Sequence, residues 1–198
     1  MSRLTTSFVL GYHGCEREVG EKILLNEAPF QPSTASWHWL GQGIYFWEAD
    51  PLRAYEWAKL KRDRGECKAP FVVGAVIDLG TCLDLLFREN LELVSDSYAS
   101  FVEARKLAGL PVPTNRKARN DQSDDFVLRY LDNAVIDHAC KRAEEASAPF
   151  SSVRGLFEEA ERLFPGSKIS RKAHSQICVR DSSCIKAVCL PTDFSYPQ

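Results

Sequence analysis

Residues Phe71 to Leu79 read FVVGAVIDL, an apolar run rich in valine. A run of this kind predicts a strand buried inside a sheet, because a half-exposed strand alternates apolar with polar residues. A buried strand needs layers over it, and the order of the other segments indicates what they are. Ser7 to Gly14 reads as a short strand running into a glycine-bounded turn, and Glu16 to Leu25 carries Val19, Ile23 and Leu24 at helical spacing. A loop with Pro29, Pro32 and Ser33 leads to the aromatic segment Trp37 to Trp47. Asp50-Pro51 then makes a helix start, an N-cap side chain followed by a proline whose missing N–H costs nothing there, and the helix continues through Tyr55, Ala58 and Leu60.

The middle of the chain is helical in pattern, over Asp84–Ala108 and Asp124–Cys140, with a polar loop from Pro111 to Asp125 between. The segment Ser151 to Glu159 reads either as a helix start with solvated carboxylates or as a substrate loop. The last third returns to short apolar strands, Ser175–Val179 and Ile185–Leu190, joined by a turn at Arg180–Ser183. β-rich ends around a helical centre predict an α+β fold. At 198 residues the chain suits a single domain, 1–198, with a helical insertion at about 84–150.

Bulk properties permit this without naming a function. The formal net charge of −2 removes any broad basic field, although a local groove can still be basic. The seven cysteines are odd in number, and no two stand as C-x-x-C. A disulfide framework or paired zinc spacing therefore fits poorly, and reduced core cysteines in a cytoplasmic protein are expected. No stretch is long and apolar enough to span a bilayer, so no membrane association is expected.

Three segments carry chemistry: Tyr12-His13-Gly14-Cys15, Gly41-Gln42-Gly43-Ile44-Tyr45-Phe46, and His174-Ser175-Gln176-Ile177-Cys178-Val179-Arg180-Asp181. Singly they are weak. Gly41-Gln42-Gly43 lacks the third glycine and the βαβ setting of a dinucleotide fingerprint. In this order, however, they resemble the ADP-ribosyltransferase superfamily, in the branch shared by diphtheria-type toxins and poly(ADP-ribose) polymerases. That branch has His-Gly on a first strand, a Gly-x-Gly-Ile-Tyr-Phe-like segment on a second, and a glutamate or its substitute opening a later one. The resemblance reaches from residue 12 to residue 181 and implies a split, mostly antiparallel sheet with NAD as co-substrate and no metal.

Breaking the nicotinamide–ribose bond passes through an oxocarbenium-like state, so such a site must hold the amide, the ring and both riboses. By resemblance, Gly14 offers backbone groups to the amide, His13 bonds the adenine-side ribose, and Tyr45 faces the nicotinamide ring. Gly41 and Gly43 would let the chain approach the ligand closely. The departure is Gln176, which stands where the family often has its glutamate. A glutamine can still bond ribose hydroxyls but cannot take a proton, which implies single transfer and no chain elongation. Arg154 and Glu159 are the candidates for meeting a phosphate and deprotonating the acceptor. The resemblance implies a mono-ADP-ribosyltransferase acting on RNA, DNA or protein, like bacterial toxin or phage-defence effectors, with an antitoxin among its conceivable partners. The alternatives are an NAD glycohydrolase and a catalytically silent NAD- or ADP-ribose-binding module. The clusters Lys59/Lys61/Arg62/Arg64, Arg116/Lys117/Arg119 and Lys168/Arg171/Lys172, with the aromatic side chains of Trp37, Trp39, Phe46 and Trp47, would serve a nucleic-acid acceptor if they flank the NAD cleft.

Overall fold

In the computed structural model, which describes residues 8–117, 126–158, 162–192 and 194, the valine-rich run forms an interior strand, β3 (Pro70–Asp78). It lies between β1 (Phe8–Glu16) and β7 (Ile185–Cys189), antiparallel to both. The remaining strands are β2 (Ile44–Glu48), β4 (Cys82–Asp84), β5 (Ser152–Phe157) and β6 (His174–Val179). Together they make one seven-stranded sheet in the order β4-β5-β6-β2-β1-β3-β7, in which the β4–β5 pairing alone is parallel. With helices α1 (Arg17–Leu24), α2 (Pro51–Asp63), α3 (Arg88–Leu107) and α4 (Tyr130–Glu145), the architecture is α+β.

Strand alternation sends side chains to two covered faces. On one, Phe46, Val73, Ile77 and Ile177 pack with Ile23 of α1 and with Phe30. On the other, Trp47 and Val72 meet Ala54 of α2, while Cys178, Val153 and Leu83 meet Ile136 and Cys140 of α4. The Asp50 carboxylate caps α2 by accepting from the Arg53 amide at 3.0 Å, and Pro51 opens the helix. α2 then lies so close to β1 that a Cβ on Gly14 would come within 1.9 Å of the Ala54 carbonyl oxygen. α3 packs on α4 through Phe101 and His138, whose rings are 5.6 Å apart, with the Ser100 hydroxyl bonded to His138 Nε2.

Three sequence expectations need correcting here. Asp84 ends a strand and does not start a helix: its carboxylate accepts from the Leu86 amide, and α3 begins only at Arg88. Residues Ser152–Phe157 form neither helix nor loop but strand β5, paired on one side with β4 and on the other with β6. Of the second expected helix, Asp124 and Asp125 lie outside the described residues, while 126–129 are not helical, Leu128 bridging to Arg116, and α4 begins at Tyr130. All seven cysteines are free thiols, five of them buried and Cys189 exposed.

Candidate active site at the seam of the sheet

β1 is held to β3 along its whole length, from Phe8–Asp78 to Glu16–Pro70, but to β2 only through Gly11–Glu48 and Tyr12–Trp47. β1 and β2 are therefore paired over only part of their length, and the seam between them opens at His13. The next reciprocal pair in register would join Gly14 to Tyr45, and it does not form. His13 Nδ1–H instead donates to the Tyr45 carbonyl at 2.8 Å.

Hydrogen-bond alternation tells which way Gly14 faces. Arg17 N–H donates to the Ala69 carbonyl, one step beyond the Glu16–Pro70 pair, so odd-numbered residues of β1 bond toward β3. Even-numbered ones bond toward β2, as the Ala49 amide donating to the Leu10 carbonyl bears out. The N–H and C=O of Gly14 thus point into the open seam.

His13 is a neutral imidazole of defined tautomer. Its Nδ1 must carry the proton given to the carbonyl, which leaves Nε2 as an acceptor with no hydrogen bond among the described residues. Its ring packs against Phe30 at 5.3 Å and Phe46 at 5.7 Å, and burial lowers its pKa from 6.5 to about 4 against the raising effect of the Tyr45 carbonyl.

Tyr45 projects from the opposite face. Its hydroxyl donates to the Gly41 carbonyl at 2.8 Å and accepts from the Leu40 amide at 2.9 Å, pinning the loop that enters β2. Desolvation holds its pKa well above the ordinary value, so it stays a phenol. The loop is clamped again by Asp137 of α4, which accepts from the Gln42 amide at 3.0 Å and pairs with Arg180 at 2.8 Å. Gly41, at φ +82°, takes a conformation that L side chains rarely adopt. Gly43 is needed for packing against β6: a Cβ there would lie 2.6 Å from both Cys178 Sγ and the Val179 carbonyl oxygen. The space a Cβ would take at Gly43 is thus filled by the protein's own strand β6.

Gln176 lies one strand over. Register aligns Tyr12, Trp47 and Gln176 in one row across β1, β2 and β6. Its carboxamide orientation follows from its neighbours. Trp39 Nε1–H can only donate, and Gln176 Oε1 accepts from it at 2.7 Å. His174 Nδ1–H donates to the Lys172 carbonyl at 2.9 Å, so His174 Nε2 accepts from Gln176 Nε2–H at 3.0 Å. Trp39 itself lies over Gly155, where a Cβ would come within 2.5 Å of its ring. Neither Trp39 as a partner of Gln176 nor this use of His174 is visible in the sequence, since 137 residues separate Trp39 from Gln176.

Arg154 is not brought to this site. It follows Val153 on β5, and Val153 packs on the α4 face with Cys178, so Arg154 lies on the other face from Gln176. There its guanidinium bonds Glu48 through two nitrogens, at 2.7 and 2.8 Å, and Asp84 at 3.0 Å, while the Ser175 hydroxyl donates to Glu48 at 2.6 Å. Glu159 lies outside the described residues. Of the aromatic segment, Phe46 and Trp47 are core, Trp39 is half-buried, and Trp37 is exposed. Among the described residues, no group of three or more His, Cys, Asp or Glu side chains could hold a metal ion, and no helix is long and apolar enough to cross a membrane.

Fold and site together define an α+β protein with a seven-stranded, mostly antiparallel sheet and a histidine–tyrosine contact where β2 leaves β1. The chain is similar to an uncharacterized protein of Methanocaldococcus jannaschii, MJ0359, being 27% identical over 188 residues that span 88% of this chain and 83% of that protein. No family model and no solved structure matches it.

Proposed function

We propose that the chain is a mono-ADP-ribosyltransferase of the type its three motifs resemble, using NAD as co-substrate and the seam between β1 and β2 as the nicotinamide end of its site. The observation that carries this reading is the missing Gly14–Tyr45 pair. It leaves an N–H donor and a C=O acceptor of one residue side by side and aimed into the opening, the complement of a carboxamide, which offers one acceptor and a donor pair. The free Nε2 lone pair of His13, on the adjacent residue, suits a ribose hydroxyl donor, and its low pKa keeps that lone pair available at neutral pH.

In the transfer, the bond between nicotinamide and the anomeric carbon breaks with its electron pair leaving on nicotinamide. A nucleophilic atom of the acceptor then bonds that carbon and gives up its proton. Gln176 supports orientation in this scheme, not proton transfer. Its amide is already bonded on both sides, and a carboxylate in its place would confront the lone pair of His174 Nε2. The local network is built for an amide, which fits single transfer without elongation. Because Arg154 is held by Glu48 and Asp84 and faces away from Gln176, it is not the group that meets a phosphate beside Gln176, and acceptor deprotonation stays with a carboxylate, Glu159 being the candidate.

The test is incubation with NAD labelled in its adenosine half and separated pools of protein, RNA and DNA. Label should enter one pool, and Gln176→Ala should lower its rate about 10²-fold while NAD binding, measured by calorimetry, is nearly unchanged. Label released only as free ADP-ribose would favour the glycohydrolase. NAD binding without turnover would favour the silent module, and unaltered transfer by Gln176→Ala would refute the role given to Gln176.

A further inference from the structure

We infer that the acceptor is a single-stranded nucleic acid, held along a band of aromatic rings and unpaired cations that passes beside Tyr45; this rests on the transferase reading above. The band is continuous. The Arg116 guanidinium lies over the Tyr130 ring at 5.6 Å, and Tyr130 meets Trp37 at 6.4 Å. Trp37 meets His38 at 5.8 Å, and His38 lies 4.9 Å from Tyr45 and 6.0 Å from Trp57. Over Trp57 stand Lys61 at 5.9 Å and Arg64 at 5.7 Å. Two basic clusters far apart in sequence are thus joined through His38, whose ring also touches Tyr45.

Two features distinguish this band from ordinary core packing. Trp37 is 39% exposed, where Trp47 is 6% exposed, and neither of its ring contacts is a parallel stack, the interplanar angles being 76° and 66°. The cations are also free. Lys61, Arg64 and Arg116 make no ion pair among the described residues, whereas Arg53, Arg62 and Arg129 are taken up by Glu56, Asp63 and Asp132. Of the acidic residues next to these cations, Glu66 is the one without an ion pair among the described residues. On a chain of net charge −2 this is a local concentration of positive charge, not an expression of a basic protein. An exposed tryptophan between two groups of cations matches a strand whose bases are unstacked and whose phosphates follow at regular intervals. A duplex keeps its base faces hidden, so the band selects single strands.

The test uses a short fluorescein-labelled oligodeoxythymidylate and the matching oligouridylate, without NAD, followed by anisotropy. The intact chain should bind a single strand at least about tenfold more tightly than a duplex of the same length. Trp37→Ala should weaken this about tenfold, the scale of one lost base stack, while Trp37→Phe keeps most of it. The double variant Arg64→Glu, Arg116→Glu should bind still more weakly and show a flatter dependence on salt. Equal binding by all variants, or duplex binding equal to single-strand binding, overturns the proposal. Label from NAD appearing on protein, with no oligonucleotide bound, overturns the band and leaves the transferase standing. Trp37-dependent oligonucleotide binding with no NAD bound in calorimetry overturns the transferase and leaves the band standing.

Discussion

The burial of His13 makes a prediction that separates its structural role from its functional one. In the unfolded chain this histidine takes a proton near its ordinary value of 6.5, while in the folded protein burial delays protonation to about 4. The unfolded state therefore binds more protons over that interval, and stability contributed by neutral His13 is complete above pH 6.5 and lost as pH falls toward 4. The loss amounts to about 3 kcal/mol by pH 4, at 1.36 kcal/mol per pH unit of displacement. His13→Asn isolates this effect, because an asparagine amide can donate to the Tyr45 carbonyl as Nδ1–H does but does not titrate. Urea unfolding of both proteins from pH 7.5 down to 4 should show the wild type losing about 3 kcal/mol more than the variant. At pH 7.5 the variant should bind NAD more weakly by about 1–2 kcal/mol, having lost the Nε2 acceptor. Parallel stability curves would mean that His13 is solvated in the folded state. Unchanged NAD affinity in a variant folded as well as the wild type would remove His13 from the site.

Tyr45→Phe deletes a hydroxyl that bonds both Leu40 and Gly41, so it should cost about 1–2 kcal/mol of stability in urea unfolding and loosen the loop before β2; an unaltered midpoint would mean that the loop is held by Asp137 and Arg180 alone. Arg154→Met leaves two carboxylates that are 14% and 10% exposed without their cation and should destabilise by about 3 kcal/mol. The same substitution should leave NAD affinity within about twofold, because Arg154 faces away from Gln176; a large loss of affinity in a folded variant would put Arg154 back in the site.

The parts of this protein legible in its sequence are those fixed by local chemistry. The Asp50-Pro51 start of α2, the buried β3 and the strands that carry His13 and Gln176 follow from spacing and residue type, whereas a strand at Tyr45 is implied only by the family resemblance. Partner choice across the sheet was not legible. β5 is the clearest case: its residues alternate in depth, but Arg154 in the middle and the acidic tail after Phe157 read as surface, and only pairing with both β4 and β6 explains why a charged residue belongs in an interior strand. The charge is tolerated because Glu48 and Asp84, 106 and 70 residues away, come to meet it, which no sequence window could reveal. The same holds for the site. A histidine followed by glycine is locally indistinguishable from a turn, and its significance arises when β2 departs from β1 after Trp47, so that a side chain takes the carbonyl the backbone would have used. Gly14 lacks a side chain for a separate reason, the packing of α2 on β1. The face away from the seam is closed by the Ala54 carbonyl at 1.9 Å from any Cβ, so α2 presses β1 from behind while the strand's own amide is turned toward the opening. Glycine at 14 is thus fixed by the packing of α2, while the N–H and C=O turned to the opening are those any residue but proline would offer.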